Sequence, residues 1–144
     1  STWSMPVTDD EGLRELLDMR RIAVVGCSGT PGKAAHEIPA YMMRAGYNIY
    51  PVNPYADEVL GNEAADSLAD VAEPVDLVNV FRPSDEVPGI VDDVLTRHED
   101  RGDVNSVWLQ LGITHDEAGE RVEAAGLQFV QDHCLKIEHS RLVA

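Results

Sequence analysis

The chain has 144 residues, and its 26 Asp plus Glu against 11 Lys plus Arg give a formal charge of −15. Such a field argues against a nucleic-acid partner or an anionic lipid surface, because tracking phosphates takes clustered Lys and Arg that displace condensed counterions. With 44% hydrophobic residues gathered in short apolar runs, the charge does not signify disorder, and the length predicts one domain, residues 1–144, whose core needs no disulfide staple.

Thr8-Asp9-Asp10-Glu11 reads as a capping box, and Leu13, Leu16 and Leu17 form one apolar face, which predicts a helix over residues 9–19. Residues 22–25 are a short apolar run that predicts a strand, ending in Gly26-Cys27-Ser28-Gly29-Thr30-Pro31-Gly32-Lys33. Ile38, Tyr41, Met42 and Ala45 share a helical face that stops at Gly46. Pro39 suits only a first turn, so this helix is expected to begin near His36 or Glu37.

Strands are expected at residues 48–52 and 75–81. Ser84 is the expected cap of a helix whose face is Val87, Ile90, Val91, Val94 and Leu95, with Pro88 in its first turn. Residues 105–111 predict a fourth strand. A second capping box at Thr114 opens a helix with Ala118, Val122 and Ala125 buried and Gly126 as its stop. Residues 127–130 make a fifth strand and residues 132–144 a short terminal helix, with no linker or internal repeat along the way.

Strands that are apolar throughout, alternating with helices, indicate a parallel sheet buried on both faces. The expected architecture is α/β: a doubly wound, Rossmann-like five-stranded parallel sheet with helices on both faces. Its ligand crevice should lie beyond the carboxyl ends of the strands.

Gly26, Gly29 and Gly32 form G-x-x-G-x-x-G directly after the first strand. Glycine permits positive φ and lets backbone N–H groups approach an anion, and the following helix adds its positive end. Ser28, Thr30 and Lys33 supply further donors, so phosphate binding is the expectation and a plain strand-to-helix turn the alternative. An NAD site carries Asp or Glu at the end of the second strand. Val52-Asn53-Pro54-Tyr55 offers neither, and no Arg stands nearby for NADP. Phe81, Arg82 and Pro83 close the third strand with an apolar wall for an adenine and a cation for a phosphate; Arg82 reads equally as a surface ion pair with Asp85 or Glu86. Gln110, after the fourth strand, suits a ligand amide or a buried backbone group.

Taken in order, these segments resemble the small stand-alone CoA-binding proteins, whose fold is like the nucleotide-binding domain of the succinyl-CoA synthetase α subunit. The resemblance runs through Val24-Val25-Gly26-Cys27-Ser28 with Gly32-Lys33, Gly46-Tyr47 leading to Pro51-Val52-Asn53-Pro54, and Val75-Asp76-Leu77-Val78 with Val80-Phe81-Arg82. It continues in Trp108-Leu109-Gln110-Leu111-Gly112 and Asp132-His133-Cys134-Leu135-Lys136-Ile137-Glu138, where His133 departs from the Arg that this family often has before the Cys. The resemblance implies CoA or an acyl-CoA across the strand ends, with the diphosphate on residues 26–33 and the adenine near Asn53-Pro54 and residues 81–83. The synthetase subunit carries its phosphorylated His in a further domain, for which 144 residues leave no room, so no catalytic residue is expected. A nucleotide-dependent enzyme, oxidoreductase or acyl-CoA transforming, is the alternative.

Cys27 sits in the loop, where a pKa lowered by helix-end dipoles would allow a mixed disulfide with the CoA thiol; a passive small residue is the preferred reading. His133, Cys134 and His139 are zinc-ligand types without zinc-site spacing, so a buried Cys is preferred and no metal is expected. His36 and Glu37 are assigned to capping rather than to acid-base chemistry, and Trp3 and Trp108 to packing. Two distant cysteines outside any CxxC suit a reducing compartment, and with no leader-like start and no apolar run of about 18 residues the expected location is cytoplasmic. Dispersed acids with only Lys33 and Lys136 as lysines predict a surface adapted to concentrated salt, that of a halophile.

Overall fold

Five apolar segments pair side by side into one sheet in the computed structural model, which describes residues 6–144. Trp3 therefore lies outside the described residues. The elements are α1 (Asp10–Leu17), β1 (Arg21–Val25), α2 (Ala34–Arg44), β2 (Asn48–Val52), β3 (Glu58–Val59), β4 (Asn62–Glu63), β5 (Leu77–Val80), α3 (Val87–Arg101), β6 (Ser106–Leu109), α4 (Asp116–Ala124), β7 (Gln128–Val130) and α5 (Leu135–Leu142). The main sheet runs β2-β1-β5-β6-β7, parallel at every pairing. Strand order reverses between β1 and β5, and a crevice opens at their carboxyl ends.

Leu13, Leu16 and Leu17 of α1, Met42 of α2 and Leu135 of α5 pack with Ile22, Val24 and Trp108 on one face of the sheet. Val87, Val91 and Val94 of α3 and Ala118 and Val122 of α4 pack with Val78, Val80 and Val107 on the other. The doubly wound α/β architecture expected from the apolar pattern is the one observed.

The helix starts differ from expectation for identifiable reasons. In α1 the N-cap residue is Asp9, with no side-chain capping bond, so Thr8 does not form the box. In α4 the N-cap is His115, whose Nδ1 accepts the Ala118 N–H at 3.1 Å, while the Thr114 N–H goes to Ser84 Oγ at 3.1 Å. Ser84 therefore ties two strand exits together instead of capping α3, which follows a 3₁₀ turn at Ser84–Glu86. Ala125 is exposed, and the buried stripe of α4 is completed by Gly119. Glycine is needed there because a Cβ would come within 2.7 Å of Cδ2 of the buried Phe129 ring.

The start of α2 is the most informative correction. The helix begins at Ala34, so Pro39 lies in its interior. Proline brings no N–H to the Ala35 carbonyl one turn earlier. That carbonyl instead accepts the Ser28 N–H at 2.9 Å, docking the glycine loop onto the helix.

Residues 53–76 carry a hairpin that the sequence reading missed. β3 and β4 join through Leu60 and Gly61, both at positive φ (53° and 76°), which is a two-residue primed turn with Leu where Asn or Asp is usual. The following segment is held by Arg97 of α3, only 3% exposed, which donates to the carbonyls of Leu68, Val71 and Glu73 at 2.7–2.8 Å. The same guanidinium pairs with Asp103 at 3.0 Å.

His139 is buried in α5, with Nδ1 2.8 Å from the Tyr41 hydroxyl and its ring edge-on to Tyr41 and Tyr47. Burial first, and then the Arg20 guanidinium, hold its pKa below the usual 6.5. The folded chain thus takes up the His139 proton at lower pH than the unfolded chain does, so stability should fall as pH drops below about 6.5. Urea midpoints in molar KCl at pH 7.5 and 5 should differ less for His139→Gln than for the parent protein; an equal drop in both would remove His139 as the cause.

Candidate functional site

The ends of three strands meet at Gly26. Its N–H donates to the Val52 carbonyl of β2 at 3.0 Å, and beside it the Phe81 N–H donates to Val25 at 2.9 Å. Gly26 has φ +86°, and a Cβ there would lie 2.8 Å from the Phe81 carbonyl oxygen. A side chain is excluded by backbone on the neighbouring strand as well as by φ.

Beyond Gly26 the loop is fastened at several points. Ser28 Oγ accepts the Thr30 N–H at 3.0 Å, Glu37 Oε1 accepts the Gly32 N–H at 3.2 Å, and His36 Nδ1 lies 2.8 Å from the Ser28 carbonyl. His36 and Glu37 thus hold the loop, a tighter role than the capping and solvent contact expected. Lys33 ends the loop as the N-cap residue of α2, whose first turn directs its positive end toward the crevice. From the second strand, Asn53 donates through Nδ2 to the Cys27 carbonyl at 2.9 Å and accepts the Tyr55 N–H at Oδ1, 2.8 Å. Both ends of the Asn53 amide are engaged by protein, and the turn they make leaves Tyr55 95% exposed.

These elements enclose a cleft of about 570 Å³. Gly26, Cys27, Ser28 and Lys33 line it from the loop, Asn53 and Pro54 from the end of β2, and Phe81 and Arg82 from the end of β5. Gly29, Thr30, Pro83 and Gln110 are not part of its lining. Gln110 is 5% exposed and its Oε1 accepts the Leu135 N–H at 3.3 Å, so it serves a buried backbone group at the start of α5. Arg82 pairs with Glu86 rather than Asp85, through Nε to Oε1 at 3.1 Å and a terminal nitrogen to Oε2 at 2.7 Å. Ser67, Leu68, Ile90 and Asp93 also line the cleft and were not singled out by sequence. The signal for two of them was present, since Ile90 and Asp93 fall one helical turn apart along α3.

The structure separates the two readings of Cys27 in favour of the passive small residue. Its side chain is fully buried in the cluster with Val24 and Met42, and burial pushes the thiol up to about 12, outweighing the opposing hydrogen bond from the Ser28 backbone. A thiol kept neutral and enclosed is a poor nucleophile, so the dipole-lowered pKa and the mixed disulfide are both withdrawn. His133 Nδ1 turns to the Gln131 carbonyl at 2.7 Å and His139 to Tyr41, and among the described residues no three His, Cys, Asp or Glu are grouped to hold a metal. None of the described helices is long and apolar enough to cross a membrane.

A parallel sheet with a glycine turn, a helix start and a cleft at its switch point defines a Rossmann-like α/β domain of the nucleotide-binding kind. A family model described as CoA binding domain matches residues 20–140, and the chain belongs to that family. It is 38% identical over 129 residues to the uncharacterized protein YneT of Bacillus subtilis, covering 89% of this chain and 92% of that one. It is 30% identical over 128 residues to the ADP-forming acetate–CoA ligase II of Archaeoglobus fulgidus, covering 87% of this chain and 18% of the ligase. Among solved structures, a hypothetical protein from Pyrococcus horikoshii superposes over 100% of both chains with TM-score 0.88 and 30% identity. The cell-free ID.343 protein of Thermus thermophilus superposes with TM-score 0.85 and 39% identity, over 94% of this chain and 99% of that one.

Proposed function

We propose that the protein binds coenzyme A or an acyl-CoA in the cleft at the ends of β1, β2 and β5, with no catalytic residue of its own. The observation that carries this reading is the cleft itself in a chain of the CoA-binding family. Its volume of about 570 Å³ falls within the roughly 300–1,000 Å³ of small-molecule sites. Lys33 and the start of α2 stand on one side to take the diphosphate, and Val52, Leu68 and Ile90 give apolar surface for a base. Asn53, engaged at both ends of its amide, supplies no acid for an NAD ribose.

Charge sets the conditions for binding. Lys33 and Arg82 in the cleft are opposed by Asp66, Glu86 and Asp93, in a chain of net charge −15. A polyanion enters such a site more readily in molar salt, where the Debye length is about 3 Å. We read the acidic, lysine-poor surface as adapted to a salt-rich cytoplasm, where this obstacle is screened.

Thermal unfolding in molar KCl with CoA, acetyl-CoA, NAD, NADP or ATP tests the reading. A ligand at a hundred times its Kd stabilises the native state by about 2.7 kcal/mol. CoA or acetyl-CoA should raise Tm by several degrees while NAD leaves it unchanged; a flat response to both CoA species would overturn the proposal.

A further inference from the structure

Among the acids lining the cleft, Asp93 stands apart. Glu86 is neutralised by Arg82 and Asp92 next door is paired with Arg121, but the Asp93 carboxylate has no hydrogen-bond or ion-pair partner among the described residues. It is set on α3 one turn beyond Ile90, with Leu68 contributing to the same lining. Asp93 is an exposed residue on the cleft wall, where desolvation by the surrounding protein first, and then the neighbouring Asp92 carboxylate, push its carboxyl above the usual range. An accessible carboxylate without a protein partner, set beside apolar surface in a cleft, is free to accept from a ligand that brings an N–H donor with a flat apolar face.

Resting on the CoA reading above, we infer that Asp93 selects the base of the bound nucleotide by accepting a hydrogen bond from the exocyclic amine of adenine, its ring against Leu68 and Ile90. The rest of the cleft supports this division. Lys33 and the positive end of α2 come from the helix on one face of the sheet, while Ile90 and Asp93 come from the helix on the other. The phosphates belong with the first group, since a phosphate set against the unpaired Asp93 would be repelled. The base, which carries no charge and offers donors, belongs with the second. A base with a carbonyl in place of the amine would set two acceptors against each other and be rejected.

The test compares CoA with 1,N6-ethenoadenine CoA, in which the bridge between N1 and N6 removes the amine donors and leaves every phosphate in place. Titration calorimetry in molar KCl should show the parent protein binding CoA about tenfold more tightly than the etheno derivative. Asp93→Ala should bring the two ligands to within about twofold of each other, and Asp93→Asn, which keeps an acceptor, should restore part of the preference. Because both ligands carry the same charge, their affinity ratio is insensitive to the general gain in anion binding from removing a carboxylate. Equal binding of the two by the parent protein, or a ratio unchanged in Asp93→Ala, would overturn the inference while leaving the CoA reading intact. A parent protein that binds neither would end the CoA reading, and the role of Asp93 with it.

Discussion

Replacing Arg97 with methionine should destabilise the protein by about 3–5 kcal/mol, the range found when one partner of a buried ion pair is removed. The substitution preserves much of the side-chain volume, so packing is not the source of the loss. What disappears is a guanidinium that donates to three main-chain carbonyls and one carboxylate. Each carbonyl left without a donor in the interior costs about 1–3 kcal/mol, and relaxation of the segment recovers part of that total. Burial alone would raise the Asp103 pKa, but the hydrogen bonds from Arg97 and from the Val75 N–H hold it below the usual value, and the first of these is lost. Against a total stability of roughly 5–15 kcal/mol, the change should lower Tm by about 10 °C or more in molar KCl. CoA affinity should fall as well, because the segment Arg97 fastens carries Ser67 and Leu68 into the cleft. Arg97→Lys should recover only a fraction, since an ammonium cannot reach all four acceptors. Thermal and urea unfolding followed by circular dichroism decide the matter, and a loss under about 1 kcal/mol would refute the role given to this residue.

Gly26→Ala should weaken CoA binding and the fold together, whereas Gly29→Ala should leave the fold unchanged. Alanine at φ +86° costs roughly 1–2 kcal/mol in backbone strain. Its Cβ would also stand 2.8 Å from the carbonyl of Phe81, which directly follows β5 and is bonded through its N–H to Val25, so it cannot yield without parting the ends of β1 and β5. The separation would occur where the proposed ligand sits, so affinity should drop by well over tenfold. At Gly29 a Cβ meets nothing within 4 Å, and stability should stay within about 0.5 kcal/mol of the parent. The two variants share a loop and a chemical change, so the contrast between them is the measurement. Equal stability of both would show that the strand ends have more room than the geometry gives them.

Much of this architecture was legible because the strands are apolar throughout and each is punctuated by glycine or proline. That pattern locates residues 22–25 and 48–52 almost to the residue and implies a parallel sheet. What escaped was governed by side chains reaching across the fold. Ser84 has the right type to cap α3, yet its oxygen is taken by Thr114 from another strand exit. Gly119 looks like a weak point in a helix until the Phe129 ring beneath it is seen. The candidate site divides in the same way. Residues of the glycine loop and the strand ends announce themselves by local chemistry, whereas Leu68 enters the cleft only because Arg97 folds an irregular segment back against α3. For Cys27 the sequence leaves a reactive thiol open beside the passive small residue it favours, and only the complete burial of the side chain separates the two.

The missing amide hydrogen of Pro39 has a consequence for the thermodynamics of recognition. By leaving the Ala35 carbonyl free for Ser28, it fixes part of the loop before any ligand arrives. Ordering a residue's backbone costs roughly 1–2 kcal/mol of conformational entropy, and a loop that must assemble around its ligand loses that amount from the affinity for each residue it orders. Here folding has already met that cost at Ser28, so encounter with the ligand should resemble docking onto a finished surface more than coupled ordering.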